Sequence, residues 1–464
     1  MKKILLFAIA LASLTLNSQT LSYVDQAVLF STGDNYGTAR YTGMGGAFGA
    51  IGGDISAVDI NPAGLAVFNN TSFTTSMSYR DTKMNTSFYG DNISTKDDYF
   101  RFSQIGGVLG VNNIGNSGFK KFSFGFNYNI IKDYNNNFIV DGNSGTPTFV
   151  DDPFLNYDGD ESNNIYYTNA ENQVFKNYTS GINDKFTMSF ATQYEDFLYL
   201  GMSFSFQHLN YYQRTNYEEY NNDGNGNTLG AYLDQELSTY GNGFNFGLGA
   251  IVKPIQNLRI GLSYQSPIWY NLSENSIQYT DSDTGEMFAG DLEIYVSNND
   301  DYYSEYGERN YYDYSLKTPG LFTGSLAYIF GKAGLVSFDY IYKDYTNINL
   351  SPSSSFIPEN DDVQIYLNNT SSFRLGTEWR IQNFSLRGGY SINSSPYKNA
   401  TSEEDVTGYS LGLGIQFNRF LKLDLAYDNS THLTTYRIVD NPDVNPANLD
   451  FNNNRFTSTL VFNF

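Results

Sequence analysis

Along "KFSFGFNYNI", Lys121 to Ile130, Phe122, Phe124, Phe126, Tyr128 and Ile130 share one parity, and Ser123, Gly125, Asn127 and Asn129 share the other. Successive side chains of a strand point to opposite faces, so this period of two predicts a strand with one apolar and one polar side. The pattern recurs in "MSFSFQH" (Met202 to His208), "LGLGIQF" (Leu411 to Phe417) and "LKLDLAY" (Leu421 to Tyr427), where Lys422 and Asp424 share the polar face. Read through the whole chain, it predicts fourteen strands, at 72–80, 100–112, 120–131, 185–195, 197–211, 240–253, 257–266, 320–330, 334–343, 371–381, 383–393, 406–418, 420–428 and 455–464.

The connections sharpen this picture. Short ones, such as "KPIQN" (Lys253 to Asn257), "GKAG" (Gly331 to Gly334) and "NRF" (Asn418 to Phe420), alternate with long ones at 81–99, 132–184, 212–239, 267–319, 344–370, 394–405 and 429–454. An even number of amphipathic strands with tight turns at one end and long loops at the other is the topology of an outer-membrane barrel. A soluble sandwich gives no reason for that alternation. The expected fold is therefore an all-β, 14-stranded antiparallel transmembrane β-barrel over 71–464, with both termini on the short-turn, periplasmic side. The closing "TLVFNF", ending at Phe464, is similar to the terminal aromatic signal of such barrels.

Composition supports an exported membrane protein. Lys2 and Lys3 precede an apolar run to Leu16, so 1–18 reads as a signal peptide. The chain contains no Cys, which excludes a lipid-anchoring cysteine, disulfides and thiolate metal sites. No later run of about 18 apolar residues offers a membrane helix. The 27 basic residues face 49 acidic ones, a formal net charge of −22, which argues against nucleic acid as a partner. Glu274 to Asp313 holds eleven acidic residues and only Arg309 as a base, the pattern of a solvated loop.

Residues 19–70 differ in kind. "GMGGAFGAIGGDISAVDINPAGLA", Gly43 to Ala66, has almost no bulk, so it must fit into something rather than build a core of its own. A barrel of fourteen strands is wider than its own inward side chains can fill. The segment is expected to plug it, with Gly45, Gly46, Gly52 and Gly53 permitting turns and close backbone contact. Asn61 before Pro62 predicts a helix start with an N-cap and proline at the first position. The run "GMGGAFG" lacks the Gly-Lys-Ser/Thr ending of a phosphate loop and the dinucleotide spacing.

With Asn61, Pro62, Ala63 and Gly64 closing a Gly/Ala-rich run, the sequence resembles the FadL/TodX family of outer-membrane transporters for long-chain fatty acids and other hydrophobic molecules. The likeness continues through Gly241 to Pro267, Lys317 to Phe330 and Phe373 to Ser391. The resemblance implies an N-terminal hatch over 19–70, passive uptake of a fatty-acid-like or aromatic ligand, hatch gating, and sideways release through a break in the wall. Gly106 and Gly107 are a candidate for that break, since paired glycines weaken a strand and permit a bulge. The competing reading is a barrel without transport activity, serving as a subunit or carrier in a secretion or assembly complex, with its long loops as docking surfaces. The expected partners are thus outer-membrane lipid, a hydrophobic small molecule and proteins bound by the loops.

Other chemistry is sparse. His208 falls on the apolar phase of its strand with no serine two residues away, and His432 falls in the last long loop, so no catalytic residue is expected. Some relatives carry haem-related names, but interfacial placement of His208 is the simpler reading, and no cofactor is expected. Asp223, Asn225, Asn227 and Asp234 sit at calcium-loop positions, yet the loop lacks glycine at its sixth position, and "DSDTGE" (Asp281 to Glu286) matches less well; a polar turn is expected at both. Tyr270, Tyr302, Tyr303, Tyr311, Tyr312 and Tyr314 are expected as interface anchors or loop contacts.

Overall fold

A computed structural model describes residues 21–112, 118–150, 165–280, 287–296, 301–439 and 441–464. The expected signal peptide and Asp281 to Glu286 lie outside these residues.

Fourteen strands close a ring. They are β1 (Ser72–Phe88), β2 (Asp91–Asn112), β3 (Phe119–Asp133), β4 (Asn169–Tyr194), β5 (Leu198–Asn222), β6 (Thr228–Ile255) and β7 (Leu258–Gln265), followed by β8 (Leu321–Phe330), β9 (Gly334–Asp344), β10 (Asn369–Ile381), β11 (Phe384–Asn393), β12 (Val406–Gln416), β13 (Leu421–Tyr436) and β14 (Ala447–Asn463). Each pairs antiparallel with the next, and β14 returns to β1 from Ser72↔Asn463 to Ser87↔Asn448, which closes the ring. Among the described residues no helix is long and apolar enough to cross a membrane; the strands do that. On β3, Phe122 and Phe124 are exposed outward while Ser123, Gly125, Asn127 and Asn129 are buried inside. The same parity exposes Phe204, Phe206, Leu262, Leu326, Phe338, Leu375, Leu386 and Leu411, an apolar outer belt that suits lipid.

Every predicted strand is present, but several run on. β4, β5 and β6 are 26, 25 and 28 residues long, where about 9–11 cross a bilayer. Two expected long loops are therefore corrected to continuous hairpins. Residues 81–99 turn at Tyr89 (φ 46°) and Gly90 (φ 106°), and 212–239 turn at 223–227. The reason is physical: above the lipid both faces are polar, so the apolar–polar alternation stops while strand pairing continues. The 267–319 connection also forms sheet. Trp269–Thr280 pairs with Glu308–Lys317 and with the Leu237–Phe244 part of β6, so the wall continues above the short β7 and β8.

The loops share a core of their own, in which Phe88, Phe138, Phe149, Tyr167, Phe175, Tyr217, Leu233, Ile294, Val439 and Leu449 are all buried. Glu219, fully buried there, accepts hydrogen bonds from the backbone of Thr148 (2.8 Å) and Phe149 (3.0 Å) and from the side chains of Gln173, Tyr217 and Asn221. A buried carboxylate with that many donors ties three chain segments together.

Candidate functional site: the lumen and its N-terminal segment

Residues 36–68 lie inside the ring. Thr38 caps α2 (Ala39–Thr42), Asp54 caps the short 3-10 helix Ile55–Asp59, and Asn61 caps a second one, Pro62–Val67. Asn61 Oδ1 accepts from Ala63 N at 3.1 Å with Pro62 at the first helical position. Its Nδ2 donates to Gly49 O (2.8 Å) and, across the lumen, to Ala250 O of β6 (3.1 Å). Asn61 is thus both a cap and a bond to the wall. Gly45, Gly46, Gly52 and Gly53 all have φ between 61° and 75°, where a side chain is strained. Gly64 lies so close to Gly52 that a Cβ on it would sit 2.9 Å from the Gly52 Cα.

The wall answers with glycines of its own. A Cβ at Gly201 would fall 2.4 Å from Ala63 N, one at Gly249 2.0 Å from Asn61 Oδ1, and one at Gly261 2.4 Å from Gly49 O. Gly376 and Gly389 likewise receive Met44 and Gly45. These wall residues were not singled out from the sequence. Their signal was present in "GLG" and "RGGYS", where glycine takes the inward parity of an otherwise regular strand, although glycine normally weakens one.

Ionic and polar ties complete the seat. Arg40 Nε meets Glu378 at 2.8 Å; Glu378 also holds Arg387, which reaches Asp424 at 2.7 Å, the last three residues being buried. On another sector Asp59 meets Lys185 at 2.8 Å. Gly49 N donates to Asp339 (2.9 Å), Ala39 N to Thr459 (2.7 Å), and Ser263 to Ile60 O (2.7 Å). Lys121 donates to Phe68 O (2.6 Å), and Arg259 to Ile51 O. Burial raises the Asp54 carboxyl pKa, with Arg40 and the Thr38 hydroxyl opposing.

Toward the long-loop end the lumen holds a cavity of about 1840 Å³. The helix α1 (Tyr23–Ser31), capped by Ser22, lies along its apolar side, where Val24, Val28 and Phe30 pack with Tyr134, Tyr211, Leu237 and Tyr270. Tyr23 donates to Glu274 (2.9 Å), and Tyr397 donates to Asp25 (2.7 Å). Lys132, Lys343 and Arg374 also line the cavity. Lys132 approaches Asp34 at 3.7 Å, whereas among the described residues neither Lys343 nor Arg374 forms an ion pair. Lys343 donates to Ser31 O and lies over the Tyr345 ring; Arg374 donates to the Tyr41 hydroxyl at 3.2 Å.

The expected break at Gly106 and Gly107 is corrected. Both residues are paired on either side, to Thr74 and Phe73 of β1 and to Asn127 and Phe126 of β3. Missing side chains do not remove backbone bonds, and Gly106 instead leaves room for Ile55. The β2–β3 ladder does stop close by, at Gln104↔Asn129, just below a bulge at Ser103. Above it β2 pairs with β1 alone. There the gap toward β3 and the strand Asn136–Gly142 is bridged by side chains: Arg101–Asp133 (3.0 Å), Thr95 to Asn137 O (3.0 Å) and Asn137 to Asp97 (3.1 Å). Phe100 and Phe102 are exposed on the outer surface beside this seam.

The remaining sequence-predicted residues are dispersed. His208 is exposed on the outer wall, bonded to Asn242 (3.2 Å). His432 lies on β13 rather than in a loop, stacks on Phe451, and faces the cavity. The two histidines are on opposite sides of the wall. Asp223 accepts the backbone N–H groups of Asn225 and Asn227, which hold its carboxyl below the usual range, while Asp234 sits on β6 paired with Arg214. The four calcium-loop positions are not brought together. Tyr270 and Tyr314 belong to the cavity-side core, Tyr311 is exposed, and Tyr312 packs on Phe356.

No family model and no curated protein matches this sequence. Among solved structures, the fold is similar to a FadL homologue of Pseudomonas aeruginosa, at 15% identity and a TM-score of 0.59, over 94% of this chain and all of that one. It is also similar to the Pseudomonas putida toluene transporter TodX (13% identity, TM-score 0.53, over 93% of this chain and 99% of that one). The Ralstonia pickettii toluene transporter TbuX matches at 16% identity and a TM-score of 0.50, over 93% and 99% of the two chains. The chain has the fold of the FadL-type barrels.

Proposed function

We propose that this protein is an outer-membrane channel of the FadL/TodX kind, admitting hydrophobic molecules that carry an anionic end. The observation that carries the reading is the filled lumen: a glycine-rich segment seated on glycines of the wall, with a cavity of about 1840 Å³ on its outer side. Residues 19–70 form the hatch in this reading, and Asn61 to Gly64 its wall contact. The cavity wall is apolar along Tyr134, Tyr211, Leu237 and Tyr270, and cationic at Lys343 and Arg374. An apolar body bearing a carboxylate satisfies both surfaces, and a plain hydrocarbon only one.

Release goes sideways. Around the hatch the wall carries Arg387, Lys121 and Arg259, a poor route for an apolar chain. Hydrocarbon is favoured over water by roughly 0.8 kcal/mol per CH₂, so the membrane is the better sink. The lower end of the seam above Ser103, where Arg101 meets Asp133 beside outward-facing Phe100 and Phe102, is the exit we favour, because side chains can part there without breaking a strand ladder.

Cysteines at Arg101 and Asp133, in a chain with none of its own, can be bridged by a short bis-methanethiosulfonate reagent. Bridging should abolish cellular uptake of a fluorescent fatty acid, and a cleavable bridge should restore it on reduction. Undiminished uptake through a fully bridged barrel would remove the seam from the route. No saturable uptake by the unbridged protein would remove the transport reading itself.

A further inference from the structure

The short-turn end carries the opposite charge to the rest of the molecule. Residues 118–122, 194–198, 252–259, 330–334, 379–385 and 417–422 contain eight basic residues and two acidic ones; Lys121 and Arg259 turn to the lumen and Lys422 to Asp424, which leaves Lys120, Lys253, Lys332, Arg380 and Arg419 at the rim. The seven outer stretches 81–99, 132–184, 212–239, 267–319, 344–370, 394–405 and 429–454 contain 39 acidic residues and nine basic ones. The two acids of the short-turn end, Glu195 and Asp196, are both taken by Lys120, at 3.5 and 3.1 Å. An apolar band about 25 Å tall separates the ends. That exceeds the Debye length of about 8 Å at physiological salt, so the outer acids do not cancel the inner bases.

Four successive turns share a pattern. Lys253 lies over the Tyr199 ring near exposed Ile255, and Lys332 is exposed next to Phe330. Arg380, half-exposed although it reaches Glu378, sits between exposed Trp379 and Ile381. Arg419 lies over Phe420 beside exposed Phe417. Aromatic side chains mark the boundary between hydrocarbon and headgroups, and basic side chains next to them reach the phosphates.

We propose that this half of the rim, from the β6–β7 turn to the β12–β13 turn, binds the anionic phosphate headgroups of the lipid leaflet on the short-turn side. The proposal rests on the membrane reading above. It commits to lipid rather than to an acidic protein because cation and apolar side chain recur together at one height over four turns. A leaflet meets the rim along that whole length, whereas a docked protein has no need of exposed aromatics at each turn. Clustered Lys and Arg beside a membrane-spanning element are the recognised means of retaining anionic lipid.

The test is lipid selectivity in reconstituted bilayers of phosphatidylcholine, read from the motionally restricted fraction of spin-labelled phosphatidylglycerol against spin-labelled phosphatidylcholine. The parent barrel should favour phosphatidylglycerol several-fold, less so as salt rises. The triple variant Lys253→Gln, Lys332→Gln, Arg419→Gln should fall to near equality, while Lys176→Gln, at the acidic end, should match the parent. Heat-dependent gel mobility confirms that each variant has assembled. Equal affinities in the parent, or an unchanged triple variant, would overturn the proposal. So would loss of selectivity with inorganic phosphate but not with chloride of equal ionic strength, which indicates a free-phosphate site. Shielding of Lys332 and Arg419 by an acidic protein in native membranes would assign the rim to that partner. Lipid selectivity without ligand uptake would leave this proposal standing and the transport reading fallen.

Discussion

The two ends of the lumen are filled by opposite means. Around the N-terminal segment many contacts are backbone against backbone: Ala47, Ala50, Ala57, Ala63 and Ala66 are fully buried, and wall glycines provide the hollows. Among the loops the contacts are large rings, with Phe175 5.2 Å from Tyr436 and 6.1 Å from Phe138. The first kind of seat leaves little room for added atoms, and Met44, Phe48, Ile55 and Leu65 are buried in it as well. The second gains its stability from buried area and resists separation. In the proposed reading the first seat holds a plug and the second forms a cap.

Removing one side of the comparison gives the largest expected effect. Deleting 43–66 should leave an assembled barrel with a standing pore, because the ring of strand ladders does not pass through that segment. Planar-bilayer recording should show high, steady conductance where the parent is near zero; equal conductances would mean that the segment does not occlude the lumen. Next comes the other end. Phe175→Ala leaves a cavity in the loop-borne core and should cost about 3–5 kcal/mol there. Proteolysis of the outer hairpins should accelerate while conductance stays at the parent level. A rise in conductance would show that cap and plug are one unit.

How much of this was legible beforehand follows the same division. Strands within the apolar belt announce themselves, and 383–393 was expected where Phe384–Asn393 is found. In "NYYQRTNYEEYNN", Asn210 to Asn222, the faces differ in location, with Tyr211, Gln213, Tyr217 and Glu219 inside, but hardly in polarity. The period of two is therefore invisible there, and the hairpins read as loops. The placement of residues 43–66 inside the ring was legible because a run without bulk needs a container. Its container was not, because an inward glycine in a strand looks like a weakness until its neighbour is placed. Gly106 and Gly107 were misread for that reason.

The smallest expected effect isolates that container. Gly249 and Gly324 are both strand glycines, on β6 and β8, but an added methyl group meets Asn61 Oδ1 at 2.0 Å in the first case and nothing within 4 Å in the second. Gly249→Ala should act on the plug through Asn61, which must move off its bonds to Ala250 O and Ala63 N. Overpacking of one methyl group should cost about 1 kcal/mol, the lower end of the usual range. The strand itself gains from alanine, so barrel unfolding should be no easier in either variant. The effect should then appear as brief openings in single-channel records of Gly249→Ala, several-fold more frequent than in the parent. Gly324→Ala should open no more often than the parent. Matching records from the two variants would mean that the wall glycines do not position the segment, and that it is held by its ion pairs to Glu378 and Lys185 instead.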